Sequence, residues 1–140
     1  MRNVLIDTDV ILDFFFDREP FSNQAAQIFS LCEKGDITGY VTPVICSNTY
    51  YLLRRTANHR KVIDKLSQLL SLLGVLMMDK ETILQALNSE FSDFEDALQY
   101  FAAIKKGDIE TIITRNIKDY KNSQIGVLTP ADYLISRELV

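Results

Sequence analysis

The sequence predicts an α/β domain built on a mainly parallel sheet. Three observations carry that prediction. Short apolar or β-branched runs alternate with amphipathic stretches of helical period from one end of the chain to the other. Twice, a strand-like run leads straight into Thr-Pro, at Thr42-Pro43 and Thr129-Pro130, a cap followed by a first-turn proline. The 140 residues contain no repeat, low-complexity tract or linker, which suits a single domain over residues 1–140. Right-handed crossovers would put helices against the sheet.

Taken in order, Val4-Leu5-Ile6 is a buried parallel strand, ending at Asp7-Thr8-Asp9. Asp9 or Thr8 can cap a helix from Val10 to Phe16, on which Asp13 is expected to be partly solvated. Pro20 breaks the chain, Ser22 caps a helix to Lys34, and Gly35 stops it. Ile37–Val41 reads as the second strand. A helix from Pro43 to about Arg55 and another over 61–73 follow, and these two form a hairpin projecting from the sheet. Val75–Met78 is a third strand, Lys80–Leu87 a helix, 93–106 a helix ended by Gly107, Thr111–Ile113 a fourth strand and Val127-Leu128 a fifth. The last helix starts at Thr129-Pro130.

Composition narrows the function classes. The hydrophobic fraction of 47% suits a globular protein. No apolar run is long enough to span a bilayer, and the N-terminus turns acidic too soon for a signal peptide, so no membrane role and a cytoplasmic location are expected. Cys32 and Cys46 lack metal-knuckle spacing and are expected reduced in the core. His59, flanked by Arg60, reads as a surface residue. A net charge of −4 argues against a general nucleic-acid binder. However, the acids are clustered, and a divalent cation can neutralise clustered acids. The basic residues also group, at Arg54, Arg55, Arg60 and Lys61 and again at Arg115, Lys118 and Lys121.

The chemistry concentrates in Ser92–Tyr120, SDFEDALQYFAAIKKGDIETIITRNIKDY. Ser92 and Glu95 have capping-box spacing, and Asp93 suits the helix dipole. Asp96 lies one residue past the box beside Ala97 and Leu98, where an acid faces inward only if it is used. Asp7 sits at a strand end, as helix cap or active-site acid, and Asp9 reads as a cap or supporting acid. Thr114-Arg115-Asn116 follows the fourth strand. Asn116 is either a turn cap or a neutral ligand to a metal-bound water, and Asp119 is either a surface acid or a fourth member of the cluster. Acids converging from strand ends and a helix start repel one another unless a cation is present. Oxygen-only ligands favour Mg²⁺ or Mn²⁺, which can activate water against a phosphodiester. That is nuclease chemistry.

In this order, VLIDTDVILDFF, TPVICSNTYYLLRR, DFEDALQYFAA, IITRNIKDY and VLTPADYL resemble the PIN-domain family, particularly small bacterial ribonucleases of the VapC-toxin type. The resemblance implies a three-layer α/β/α fold with a sheet of about five strands and Mg²⁺- or Mn²⁺-dependent RNA cleavage. It also implies an antitoxin partner and often a homodimer. Asp7 matches the family's first acid and Asp96 its third, while Asn116 and Asp119 both fall in the region of the fourth. Asp7, Asp96 and Asp119 would be the metal ligands, with Asp9, Asn48, Asp93, Thr114 and Arg115 as supporting or substrate-facing residues. The second acid usually lies on the helix after the second strand, but here no acid occurs between Asp36 and Asp64, and Asn48 is the best match. Asparagine keeps an oxygen ligand and loses a charge, which implies weaker metal binding and weak cleavage, or a degenerate member that binds RNA or a protein without cutting.

Two other enzyme readings fit less well. Asp7-Thr8-Asp9 resembles the DxD opening of haloacid-dehalogenase-type phosphatases, but Ile11 stands where Thr or Val is wanted. A phosphoacceptor receiver could use Asp79, but Thr129-Pro130 supplies no lysine.

Overall fold

A computed structural model describes residues 2–138. Five parallel strands form one sheet in the order β3-β2-β1-β4-β5. They are β1 (Asn3–Ile6), β2 (Thr38–Val41), β3 (Gly74–Val75), β4 (Thr111–Ile113) and β5 (Gly126–Leu128). All four residues of β1 are buried, as a central strand covered on both faces requires.

Among the described residues seven α-helices pack around the sheet: α1 (Thr8–Phe15), α2 (Ser22–Lys34), α3 (Pro43–Leu53), α4 (His59–Leu70), α5 (Lys80–Leu87), α6 (Phe94–Lys106) and α7 (Pro130–Glu138). The chain steps from β1 to β2 to β3 in one direction and then returns past them to β4. Right-handed crossovers therefore put α1–α4 on one face and α5 and α6 on the other, the three layers expected. The contacts agree: α1 packs on α2 and α3, α2 on α7, and α5 on α6. Among the described residues no helix is long and apolar enough to cross a membrane.

The strand-then-proline helix starts form as expected. Thr42 Oγ1 accepts the Ile45 N–H at 3.1 Å and Thr129 Oγ1 that of Asp132 at 3.1 Å. Gly35 and Gly107 end α2 and α6 in the left-handed region, at φ 79° and 90°, where glycine carries no Cβ penalty.

Several boundaries differ from expectation for identifiable reasons. Helix α1 begins two residues early because Asp7 itself caps it, accepting the Thr8 N–H at 2.8 Å. Ser22 does not cap α2. The preceding turn is already wound, the Ser22 N–H bonds the Arg18 carbonyl at 2.7 Å, and Ser22 is the first helical residue. Helix α4 spans 59–70 and not 61–73, because Asn58 caps it through the Lys61 N–H. Strand β3 is only Gly74–Val75, an edge strand beyond which Met77 is exposed. The α3–α4 pair packs around a small cluster of its own, Leu12, Leu53 and Val62, beside the main core. Cys32 is buried, and the half-buried Cys46 packs against that core.

Candidate active site

Asp7 is pinned from three sides. Besides the Thr8 N–H, its Oδ2 accepts hydrogen bonds from Thr114 Oγ1 at 3.0 Å and Tyr120 Oη at 3.3 Å. Thr114 and Tyr120 come from the end of β4 and the 3-10 turn Ile117–Tyr120, so the strand pairing of β1 with β4 builds this contact. Burial pushes the Asp7 carboxyl above its usual range, against the pull of those donors, and the charge of Asp119 adds to the rise. Tyr120 is buried, and burial beside Asp7 and Asp96 raises its hydroxyl, keeping it a proton donor.

Asp96, in the first turn of α6, faces the same point. Burial, then repulsion from Asp7, Asp93 and Asp119, pushes its carboxyl up to about 7. The expected capping box does not form. Asp93, not Ser92, caps α6 by accepting the Asp96 N–H at 3.0 Å, because the chain enters the helix one residue later than the Ser-x-x-Glu spacing requires. Asp93 thus shapes the site from behind. Glu95, freed from capping, turns across the cleft, and its Oε2 accepts a hydrogen bond from Asn48 Nδ2 at 2.9 Å.

A second layer lies under Asp7. Asp9 Oδ2 accepts the Arg115 N–H at 3.0 Å and lies 3.3 Å from Thr114 Oγ1. The threonine has one proton for two carboxylates, and its oxygen accepts the Asn116 N–H at 3.0 Å. Burial and the Asp7 charge push Asp9 up to about 6, and its Oδ1 is buried without a partner. Asp13 is not partly solvated as expected. It is fully buried, and the Arg115 guanidinium grips it with Nε at 2.6 Å and NH2 at 2.9 Å. The same guanidinium sits 4.1 Å over the Phe21 ring. Arg115 is therefore committed to holding Asp9 and Asp13 in place.

These groups open on a cleft of about 480 Å³ at the C-terminal ends of β1 and β4. Asp7, Asp9, Asp96, Glu95, Asn48 and Asn116 belong to its polar lining, and Tyr51, Leu52, Leu12 and Arg18 also border it. Helix α3 is tied to α6 below the cleft by the buried Thr42–Gln99 bond at 2.6 Å. Asn116 contributes its side chain to the lining and makes no capping bond with it. Asp119 is outside the lining, and its charge is felt at both Asp7 and Asp96. Asp79 caps α5 away from the cleft. The sequence reading missed Tyr120, Gln99, Tyr51 and Arg18. Tyr120 and Gln99 are indistinguishable from core in the sequence, because the contacts that single them out, to Asp7 and Thr42, join segments far apart in the chain.

The donor set suits a hard cation. Asp7 is raised by burial and by the Asp119 charge, and Asp96 by burial and by the charges of Asp7, Asp93 and Asp119, a repulsion that a cation would relieve. Among the described residues no three His, Cys, Asp or Glu side chains are grouped to hold a metal ion. A Mg²⁺ or Mn²⁺ bound here would therefore rest on one or two carboxylates and keep several waters.

Comparison with known proteins agrees with this geometry. Residues 3–118 match the PIN domain family. Ribonuclease VapC1 of Aquifex aeolicus (strain VF5) is 28% identical over 140 residues, covering 94% of this chain and 93% of that protein. A toxin-antitoxin complex from Klebsiella pneumoniae superposes with a TM-score of 0.67 at 21% identity, covering 91% of this chain and 97% of that one. For VapBC2 of Rickettsia felis bound to a promoter DNA fragment, the values are 0.65, 17%, 90% and 96%. VapC20 of Mycobacterium tuberculosis, a sarcin-ricin loop cleaving toxin, gives 0.61 at 18% identity over 78% of this chain and 86% of that one. The structural likenesses establish a shared fold, and with the family match spanning most of its length the chain belongs to the PIN domain family.

Proposed function

We propose that the protein is a divalent-metal-dependent endoribonuclease and the toxin of a toxin–antitoxin pair. The observation that carries this reading is the Asp7–Asp96 pair, brought together over one buried tyrosine hydroxyl at the mouth of an open cleft. The ribonuclease relative from Aquifex aeolicus and the toxin-antitoxin complexes among the structural neighbours support the substrate and the partner.

A bound Mg²⁺ or Mn²⁺ would offset phosphodiester charge and sharpen a water nucleophile. The chain's own residues do the rest. Thr8, Thr114 and Tyr120 fix one Asp7 rotamer with three donors, so its free lone pairs face the cleft. Asp96, pushed up by burial and by its acidic neighbours, is the second carboxylate that a cation would hold in its charged form. Asn116 and Asp119 support the same cluster, the first as a neutral group in the lining and the second by its charge. The exposed Tyr51 and the cationic Arg18, which border the same cleft, suit single-stranded RNA by stacking and phosphate contact. A small antitoxin would cover this cleft, the protein would act in the cytoplasm, and it would dimerise.

Labelled RNA incubated with the purified protein and Mn²⁺ is expected to be cut, and EDTA to stop the cutting. Asp7→Asn and Asp96→Asn should each lose about a hundredfold or more of the rate, the scale of losing a positioned charged group. If wild type and both variants cut equally, the assigned site is wrong. The neutral Asn48 at a family acid position favours a second reading, a PIN domain that binds RNA without cleaving it. RNA retention without cutting would select that reading.

A further inference from the structure

Glu95 is not needed to cap α6, since Asp93 does so. No ion pair among the described residues involves it. Its Oε2 instead accepts the Asn48 amide at 2.9 Å, a contact bridging 47 residues, and both side chains line the cleft with Asp7 and Asp96. Asn48 stands where the resemblance called for an acid. An amide donor fixes a carboxylate without cancelling its charge, as lysine or arginine would. The Glu95 carboxylate is exposed where it borders the cleft, so it keeps its charge there at little cost.

We propose that Asn48 and Glu95 together supply the carboxylate that α3 lacks. The negative charge has moved from α3 to α6, and the asparagine now aims it. Glu95 acts on the cation through its water shell, since the acids are not grouped for three direct ligands. The inference rests on the nuclease reading above.

Calorimetric Mn²⁺ titration of the whole protein and RNA cleavage, run in parallel, test it. Glu95→Gln is expected to weaken Mn²⁺ binding about tenfold, the scale of losing an orienting partner of a metal site, and to slow cleavage with it. Asn48→Ala should do part of the same, and the double variant should be no worse than Glu95→Gln, because the two act as one unit. Adding Asn48→Glu to Glu95→Gln should return the affinity, a rescue that a purely structural glutamate would not show. If Glu95→Gln binds Mn²⁺ and cuts like wild type while Asp96→Asn loses both, the inference fails and the nuclease stands. If Asp96→Asn also matches wild type, the nuclease reading fails and the inference falls with it. A Glu95→Gln loss without rescue by Asn48→Glu would overturn the exchange of positions.

Discussion

Asp96 gathers more repulsion than any other residue of the cleft. Its carboxyl is pushed from the usual 3.8 to about 7 by burial and by Asp7, Asp93 and Asp119. Between those two pH values the folded protein holds a proton that the unfolded chain releases. Stability of the metal-free protein therefore falls as pH rises across that window and flattens above it. Urea unfolding in EDTA is expected to show about 2 kcal/mol less stability at pH 8 than at pH 5. Asp96→Asn should remove part of that slope, Asp7 and Asp9 supplying the rest, and Mn²⁺ at pH 8 should return much of the loss. A pH-independent midpoint in EDTA would contradict the assigned repulsion. Arg115 marks the opposite case, a charge that must stay paired. Arg115→Ala leaves Asp13 buried with only the longer 3.5 Å contact to Arg18, and is expected to cost about 3 kcal/mol by denaturant melt.

Helix α6 shows how one residue of register redistributes roles among neighbouring acids. Capping by Asp93 frees Glu95 for the cleft, whereas capping by Ser92 would have tied Glu95 to the backbone. Asp93→Ala should lower stability by about 1 kcal/mol and Ser92→Ala by almost nothing, which thermal melts can separate. The sequence could show that a helix starts here, because Ser, Asp and Glu all favour a first turn. It could not show which of them caps, because the choice depends on the backbone path of the preceding turn. Helix existence and order were legible for the same reason throughout: period, Thr-Pro starts and glycine stops are local signals. The length of β3 was not, because an edge strand ends where its one neighbour stops pairing. Gly39 shows the tightness of the layer behind: a Cβ there would meet Cys32 Sγ and Leu73 Cδ2 at 2.8 Å, so Gly39→Ala is expected to cost about 1–3 kcal/mol in the same melts.

At the scale of the molecule, a net charge of −4 and an acid-lined cleft set the terms of RNA binding. Affinity for a single-stranded RNA should fall about tenfold or more when EDTA replaces Mn²⁺, measured by anisotropy on the wild-type protein with a cleavage-resistant RNA analogue, since like charges then face the phosphates. Asp7 and Asp96 were legible from the sequence, because a strand-end acid and an inward acid beside alanine and leucine are local anomalies. Tyr120 and the Asn48–Glu95 contact were not, because each exists only once distant segments meet. The pairing of β1 with β4 also sets a timetable. The partners of Asp7, Thr114 and Tyr120, lie 107 and 113 positions later in the chain. A nascent chain therefore carries this acid through all the intervening synthesis with no finished site. Competence arrives only once β4 and the turn that follows it have been made and have paired back onto β1.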